Sequence, residues 1–360
     1  MNIGRTPYFV VWDVTYACPL RCTHCYSESG RRASRQLGLD GLYRVADALI
    51  SMKPKGVILS GGEPLLVREI FEVVGRMCNA GIAVHLYTSG WVLTPTMLPS
   101  IMNLFTRVTV SVDGATAKVH DHIRGRAGSY ARAMNALTQL DHAVRDRRRR
   151  GERSPSLGID FVVMQSNCVQ LEELCTVVAP KFPGMNFISF NAVVPTGLGS
   201  RAGFVEQEIL NEEQVALLRE GQLAQKLQSL APDTIEVTTT DNRVLQMHPD
   251  FLAAGMSIPV MQIEPDGMVR AMPIYEGTVG SLLTESPGVL WERAVKRWSD
   301  PFVIDALTPA RTMTAWAEAT RRIDQYFGSA EDRARISRRP PYMRTVGDDD
   351  GHCSGDPGEM

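Results

Sequence analysis

Residues 8–25 read YFVVWDVTYACPLRCTHC, and this stretch decides both the fold and the chemistry that we expect of the chain. Its first half, residues 8–16, is a short apolar run typical of a buried strand. The run leads straight into a loop with Cys18, Cys22 and Cys25, spaced C-x3-C-x2-C. Thiolates at these spacings can converge on one metal centre. The stretch therefore predicts a buried strand that ends in a metal-binding loop.

The following 180 or so residues alternate between strand-like and helical patterns. Helices are predicted near 39–52, 66–79, 96–104, 129–146 and 170–179, and strands at 57–60, 82–88, 107–112, 158–164 and 186–194. With the strand at 8–16, six strands are separated by helices. This alternation predicts parallel βαβ units, and hence an α/β barrel or an open sheet.

The pattern changes near residue 211, which divides the chain into three predicted regions. Residues 1–210 form the α/β unit. Residues 211–328 form a small α/β extension, with a helix, the strand-like IEVTTT, and a hairpin whose turn is Pro265-Asp266-Gly267. Residues 329–360 are rich in Pro, Gly and charge and are expected to be a disordered tail.

Composition excludes several classes of protein. The chain has 360 residues, a net charge of −2 and 44% hydrophobic residues, which argues against disorder for most of its length. It has neither an apolar stretch of about 18 residues nor a signal-peptide core, so we expect a soluble cytoplasmic protein without a membrane partner. Seven cysteines, an odd number, argue against a disulfide framework.

The only basic run comprises Arg145 and residues 147–150. Because it lacks interleaved aromatic residues and the overall charge is slightly negative, we do not expect a nucleic-acid partner. We interpret the run as a solvated helix end. Docking of an acidic leader peptide or a ferredoxin-like donor there is a weaker alternative.

The cysteine loop favours an iron–sulfur cluster over zinc. Structural zinc normally has four protein ligands, and His24 is badly placed to join both Cys22 and Cys25 in one tetrahedron. A four-iron cluster also normally has four cysteines. Three thiolates leave one iron with an open position, where a cofactor or substrate can bind.

On these residues the chain resembles the radical S-adenosylmethionine (SAM) superfamily. Its members bind a [4Fe–4S] cluster through C-x3-C-x2-C after the first strand of a partial (β/α)6 TIM-like barrel. The closest resemblance is to the branch with the pyrroloquinoline quinone synthesis protein, the anaerobic sulfatase maturases and the enzymes with SPASM or twitch extensions. The resemblance is good over residues 8–200 and weak over 255–300.

The resemblance implies a SAM site formed by several strand ends. Gly61-Gly62-Glu63-Pro64 is similar to the segment that holds the aminoacyl part of SAM, although a Gly-Gly pair alone would predict an ordinary turn. The text from residue 111 to 130 is similar to the pattern S-x-D-G…H-x-x-x-R-G…G-S-[FY]. The candidate SAM contacts are therefore His24, Tyr26, Gly61, Gly62, Glu63, Thr88, Ser111, Asp113 and Arg124.

The candidate residues are expected to contact different parts of SAM. Ser111 is expected near the methionyl or ribose group, and Arg124 is expected to pair with the SAM carboxylate. His24 and Tyr26 are expected on the adenine side. Thr88 either contacts the ligand or caps the following helix.

The extension departs from its relatives because residues 176–352 contain no cysteine. We therefore expect a degenerate extension and a single cluster. Cys168 follows the predicted fifth strand, where its thiol is a candidate hydrogen donor to a substrate radical, as in radical epimerases. Burial in the core is the plainer interpretation of Cys168, as it is of Cys78 and Cys175.

The resemblance implies an enzyme that cleaves SAM reductively and abstracts hydrogen from substrate in a specialised biosynthetic pathway. Only 17 residues precede Cys18, which favours a small polar metabolite as substrate. The alternatives are modification of a ribosomal peptide with a separate recognition protein, and a non-catalytic iron–sulfur or zinc regulator. A flavodoxin- or ferredoxin-type protein is the implied electron donor. Substrate identity, redox outcome and oligomeric state are left open.

Overall fold

A computed structural model describes residues 6–344 of the chain. All of its strands lie in one sheet. The strands are β1 (Phe9–Asp13), β2 (Gly56–Ser60), β3 (Ala83–Thr88), β4 (Arg107–Ser111), β5 (Ser156–Val163), β6 (Phe187–Ala192), β7 (Glu236–Thr240), β8 (Val260–Ile263), β9 (Met268–Arg270) and β10 (Thr278–Ser281).

The ten strands are ordered β10-β9-β8-β1-β2-β3-β4-β5-β6-β7. Strands β1 to β7 pair in parallel with their neighbours, and β8 pairs in parallel with the free edge of β1. Only β9 and β10 are antiparallel. The predicted α/β class with a mostly parallel sheet is therefore confirmed.

The extension continues this sheet at both edges. The segment IEVTTT, which we assigned to a separate unit, supplies β7 beside β6. The predicted hairpin forms β8 and β9 and joins β1 at the other edge. The sheet thus crosses the boundary that we predicted at residue 210.

Helices connect most of the parallel strands. They are α1 (Leu39–Met52), α2 (Ile70–Asn79), α3 (Leu98–Leu104), α4 (Ala117–Arg124), α5 (Ser129–Arg149), α6 (Leu171–Glu173), α7 (Phe204–Gln207), α8 (Glu212–Arg219), α9 (Gln222–Leu230), α10 (Pro249–Ala253), α11 (Pro287–Trp298), α12 (Pro301–Leu307), α13 (Met313–Phe327) and α14 (Ala330–Ser337). The helix predicted after residue 211 is two helices, because Gly221 between them adopts a φ of +80°.

The two faces of the sheet differ in chemistry because side chains alternate along each strand. One face packs with the helices in a single hydrophobic core. Its fully buried residues are Val10, Trp12, Val57, Leu59, Val84, Leu86, Val108, Val110, Leu157, Ile159, Phe161, Ile188 and Phe190. The opposite face, here called the inner face, carries partly exposed polar side chains. They are Ser60, His85, Tyr87, Arg107, Ser111, Asp160, Ser189 and Asn191.

The chain after residue 328 differs from the predicted disordered tail. Helix α14 forms at Ala330–Ser337, where Ser329 accepts a hydrogen bond from Asp332 N–H and the Asp332 carboxylate accepts one from Ser329 N–H. Tyr342 is buried, with 7% exposure. A good N-cap and an aromatic anchor thus order a segment whose composition suggested disorder. The rest of the predicted tail, including Cys353, lies outside the described residues.

Between residues 6 and 344, no helix has the combined length and apolarity that crossing a bilayer requires.

Candidate active site

The three clustered cysteines lie in the loop after β1 as partly exposed free thiols. Burial, with a smaller contribution from the charge of the neighbouring Cys25, raises the pKa of Cys18 to about 12 and that of Cys22 to about 11. The three sulfurs are therefore close enough to influence one another. Thiols in this situation need a nearby cation to ionise, which a metal centre would supply.

The donor set at the loop fits a cluster with three cysteine ligands. His24, the residue between the last two cysteines, turns to Asp113, with Nε2 2.9 Å from Oδ2. Its pKa is lowered to about 4 by burial, so it is neutral near pH 7. Within residues 6–344 no three His, Cys, Asp or Glu side chains are placed to hold a single metal ion. Three sulfurs suit a [4Fe–4S] cluster that keeps one iron open for SAM.

Asp113 connects several parts of the site. It is fully buried just beyond the end of β4. Besides His24, its Oδ2 lies 2.8 Å from Arg124 Nε, and its Oδ1 accepts a hydrogen bond of 3.0 Å from Val162 N–H. One carboxylate thus joins the cysteine loop, the end of α4 and strand β5. The sequence predicted Asp113 near SAM but not that it pairs with two other candidates.

The Arg124 guanidinium lies between the Cys22 thiol and the Asp113 carboxylate. Its Nη1 is 3.8 Å from Cys22 Sγ, and Asp113 holds the other side of the guanidinium. The main chain of α4 also meets the loop, because Arg21 N–H donates to Arg124 O at 3.0 Å. The next residue, Gly125, has a φ of +63°, and a Cβ there would lie 2.3 Å from Arg21 O. The Arg-Gly pair of the motif is therefore required for α4 to contact the cysteine loop.

The glycines of the second motif are explained by close packing of main chain. Gly62 N–H donates to Thr15 O at 2.7 Å, and a Cβ on Gly62 would lie 2.1 Å from Ala17 O. Gly61 has a φ of +112°. These glycines bring the end of β2 against the segment that leads to Cys18. Their predicted contact with SAM stays a prediction.

Glu63 is fully buried and accepts four hydrogen bonds at the ends of β2 and β3. Its partners are Thr88 Oγ1 at 2.8 Å, Leu65 N–H at 3.3 Å, and Ser89 N–H and Oγ at 2.9 and 2.5 Å. Burial raises the pKa of Glu63, and the hydroxyl donors oppose this. Thr88 also accepts from Gly90 N–H at 3.1 Å. The structure thus uses the Thr88 hydroxyl to hold Glu63 and the following turn.

Tyr26 links the cysteine loop to the extension through a residue that sequence analysis missed. Its hydroxyl donates to Asp13 Oδ1 at 2.6 Å, and Gln262 Nε2 of β8 donates to Asp13 Oδ2 at 2.8 Å. Asp13 is fully buried, and burial raises its pKa. A carboxylate at the end of the otherwise apolar strand FVVWD was the signal that could have identified it.

The inner face adds a second missed carboxylate, Asp160. It lies beside Ser111 in the register of β4 and β5, and Asn191 Nδ2 donates to it at 2.6 Å. Desolvation and the charge of Asp113 raise the pKa of Asp160 to about 7. The alternating pattern of SLGIDFVV places this acid opposite the buried apolar residues, and that period of two was the available signal.

Cys168 begins a turn just after β5 and is buried, with 2% exposure. It belongs to the hydrophobic core, as Cys175 does. Its Sγ lies 3.5 Å from Gln165 O, and its predicted role is hydrogen donation to a substrate radical. That role stays a prediction.

Comparison with known proteins agrees with this site. Residues 12–146 match the model of the radical SAM superfamily. The chain is 32% identical over 174 residues to a mycofactocin maturase of Mycolicibacterium smegmatis, an alignment covering 48% of this chain and 42% of that protein. It is 34% identical over 141 residues to an AdoMet-dependent heme synthase of Methanosarcina barkeri, covering 39% and 40%. The similarity therefore spans less than half the length of these relatives.

Solved structures share the fold. Streptococcus suis SuiB bound to S-adenosylmethionine superposes with a TM-score of 0.63 at 14% identity, covering 83% of this chain and 67% of that chain. The structure of anSMEcpe with bound AdoMet gives a TM-score of 0.54 at 15% identity, covering 80% and 81%. The motif-based resemblance and the matched family model agree: residues 12–146 are a radical SAM domain.

Proposed function

We propose that this chain is a radical SAM enzyme of natural-product maturation that uses a single [4Fe–4S] cluster. The observation that carries the proposal is the loop after β1, where Cys18, Cys22 and Cys25 are free thiols beside Arg124. The loop lies at the carboxyl ends of parallel strands, where barrels of this kind place their active sites.

The proposed work of the protein is to bind and orient the two cofactors. The cluster, when bound, supplies the electron that cleaves SAM reductively and so yields the hydrogen-abstracting radical. Glu63 and Arg124 are proposed to hold the amino and carboxylate groups of SAM, with Gly61, Gly62 and Ser111 lining the site. Asp113 and Thr88 position Arg124 and Glu63 by the contacts described above. His24 and Tyr26 hold the loop through Asp113 and Asp13.

The number of clusters is proposed from the chemistry of the extension. Residues 176–352 contain no cysteine. The positions after the hairpin are filled by Ala271 and Met272, each 2% exposed. Arg270 beside them pairs with Glu264 and Glu276. This cysteine-free, closely packed region supports the proposal of a single cluster.

A peptide is our first candidate for the substrate. SuiB, which this chain resembles in fold, was solved bound to its precursor peptide SuiA, and another relative takes part in the biosynthesis of the bacteriocin subtilosin. A small polar metabolite is the second candidate. The polar inner face with Asp160 and Asn191 supports it, because those side chains would bind donor groups of a small ligand.

The proposal is tested by anaerobic reconstitution of the full chain. We expect about four irons and four sulfides per chain. Reduction with dithionite should then convert SAM to 5′-deoxyadenosine and methionine. About eight irons per chain would contradict the single-cluster assignment. Absence of SAM cleavage with an intact reduced cluster would contradict the enzymatic function itself.

A further inference from the structure

Four arginines surround the cysteine loop and bind its main chain. Together they donate hydrogen bonds to the carbonyls of six consecutive residues, 18–23. The bonds run from Arg21 Nη1 to Cys18 O (3.1 Å) and Leu20 O (2.9 Å), from Arg31 Nη1 to Cys22 O (3.2 Å) and Nη2 to Arg21 O (2.5 Å), from Arg126 Nη1 to Pro19 O (2.6 Å), and from Arg201 Nη2 to Thr23 O (3.2 Å). We name these four residues the arginine collar.

The positive charge of the collar is not neutralised by ion pairs. No collar arginine has a carboxylate within ion-pair distance anywhere in residues 6–344. Arg126 also stacks on Trp91, with its guanidinium carbon 4.0 Å from the ring centroid, and Arg132 adds a further cation at 5.5 Å. Since the whole chain has a net charge of −2, this concentration of positive charge is local.

The collar faces solvent. Arg21, Arg31, Arg126 and Arg132 are all exposed. Arg201 is more enclosed, and burial together with the charge of Arg31 lowers its pKa. Exposed cations that bind only carbonyls and an aromatic ring keep their charge available for an approaching anion.

The basic run at the end of α5 has the opposite character. Arg145 pairs with Asp141, Arg149 and Arg150 pair with Asp146, and Arg147 lies 3.6 Å from Glu152. The run precedes β5, so it lies at the amino end of that strand, whereas the cysteine loop follows the carboxyl end of β1. Ion pairs therefore neutralise all of the run except Arg148, which donates to Asn186 Oδ1. The run also lies at the edge of the sheet opposite to the cysteine loop.

We propose that the arginine collar is the docking surface for an acidic electron-transfer protein of the flavodoxin or ferredoxin type. The proposal rests on the proposed function, which requires one electron to reach a cluster held by the same loop. A partner bound to the collar sits against residues 18–23, which contain two of the three ligands. Complementary charge steers such encounters and accelerates association, and added salt weakens both.

The test uses the full-length reconstituted enzyme and a recombinant acidic bacterial flavodoxin. The collar variant combines Arg31→Gln and Arg126→Gln with Arg132→Gln at the neighbouring cation beside Trp91. Glutamine retains a donor for the carbonyls that Arg31 and Arg126 bind. The matched control combines Arg148→Gln, Arg149→Gln and Arg150→Gln. Flavodoxin binding is measured anaerobically at low and high salt. SAM cleavage is measured with reduced flavodoxin and, separately, with dithionite.

We expect the collar variant to bind flavodoxin about tenfold or more weakly at low salt, with flavodoxin-driven cleavage falling in parallel. The difference in flavodoxin binding between wild type and the collar variant should be smaller at high salt. Dithionite-driven cleavage and iron content should stay within twofold of wild type, and the control variant should match wild type throughout.

Three outcomes would overturn the proposal. Unchanged flavodoxin binding would remove the collar as the docking surface, and weakened binding by the control variant would transfer the role to α5. Collar-dependent binding of a poly-glutamate peptide without flavodoxin binding would favour an acidic peptide as the partner. Failure of the wild-type protein to cleave SAM with dithionite would contradict the proposed function instead. The flavodoxin-binding measurement would still show whether the collar is the docking surface.

Discussion

The cysteine loop, residues 18–25, follows β1, whereas the extension hairpin, residues 262–274, pairs with β1 through β8. The two regions differ in what their polar groups bind. The loop leaves three free thiols, and arginines satisfy its carbonyls. In the hairpin, Arg270 is 1% exposed and pairs with Glu264 at 2.9 Å and Glu276 at 3.3 Å. The loop therefore keeps capacity for a ligand, whereas the hairpin satisfies its polar groups internally.

Aromatic residues complete the closed packing of the extension. Trp298 Nε1 donates to Ala271 O at 2.7 Å, Trp316 Nε1 donates to the Tyr275 hydroxyl at 2.7 Å, and that hydroxyl donates to Gln246 O at 2.8 Å. A segment that resembles cluster-binding extensions thus has a core of hydrogen bonds and ion pairs. The comparison supports an extension that braces the site through contacts between protein groups.

Contacts of this kind also reach the segment just after the cysteine loop. Glu28, three residues after Cys25, is 4% exposed and accepts hydrogen bonds from Arg335 of α14 and from Arg339. Arg335 also bonds Glu276 at 2.9 Å. The ordered segment after residue 328 therefore ties the loop to the extension.

The largest expected effect comes from replacing Cys18, Cys22 and Cys25 together with alanine. Iron and sulfide should fall to essentially none, because all three proposed ligands are lost. The far-ultraviolet circular dichroism should stay close to that of wild type, since these side chains are partly exposed and outside the core. Retention of about four irons per chain would show that the cluster binds elsewhere and would contradict the contrast drawn between the cysteine loop and the hairpin.

The substitution Arg270→Met in the hairpin should have the opposite effect to the cysteine replacement: it should lower stability and leave the iron content unchanged. Removing Arg270 takes the fully buried counter-charge from Glu264 and Glu276, which keep only the less buried Arg35 and Arg335, so the free energy of unfolding should fall by about 3–5 kcal/mol. Iron per folded chain should not change. Arg293→Met, which removes the half-exposed pair with Glu285, is the matched control and should cost less than about 1 kcal/mol. Equal losses in urea unfolding of both variants would contradict the buried role of Arg270.

SAM affinity should depend on Arg124, which lies beside the cysteine loop. Arg124→Ala should weaken SAM binding by about 1.5–3 kcal/mol, because a charge-assisted pair with the SAM carboxylate would be lost. Equilibrium dialysis with the cluster intact measures the effect, and Arg132→Ala serves as control. The same measurement on Glu63→Ala tests the amino-group assignment. An Arg124 variant with wild-type affinity would restrict that residue to its contacts with Asp113 and Cys22.

A smaller, pH-dependent effect is expected at Asp324 in the extension. Burial and the charge of Glu276 raise the pKa of Asp324 to about 7. Because the folded-state pKa exceeds the ordinary value of about 3.8, the protonated carboxyl stabilises the fold below pH 4, and this stabilisation is lost as the pH rises through 7. Asp324→Asn should reduce the loss of stability between pH 5 and 8. Asp305→Asn, at an exposed position, should leave the profile unchanged.

The smallest expected effect is that of Cys168→Ala on SAM cleavage. We expect 5′-deoxyadenosine to form at the wild-type rate, because Cys168 lies in the core and outside the proposed SAM contacts. Product analysis in deuterated water then tests the hydrogen-donor role. That role requires deuterium in the wild-type product and shunted product from the variant. Normal product from the variant would leave Cys168 as a packing residue.

Much of the sheet and all three proposed cluster ligands were accessible from the sequence. The alternation of apolar strands with helical patterns predicted the parallel order of β1 to β6, because period and spacing are local properties. Asp160 was missed, although its alternating strand pattern was visible, since a period of two does not say which face meets a ligand. Asp13 was missed because its partners, Tyr26 and Gln262, are far from it in the chain.

By itself, the sequence determined the α/β class, the C-x3-C-x2-C donor set and the absence of cysteine from residues 176–352. Residue type and local spacing carry that information directly. Only the tertiary structure decided that β7 and the hairpin extend one sheet, and that Arg124 lies between Asp113 and Cys22. It also decided that the loop arginines bind carbonyls whereas those of α5 bind carboxylates. The partner of a long charged side chain depends on which segments fold together, and composition cannot specify that.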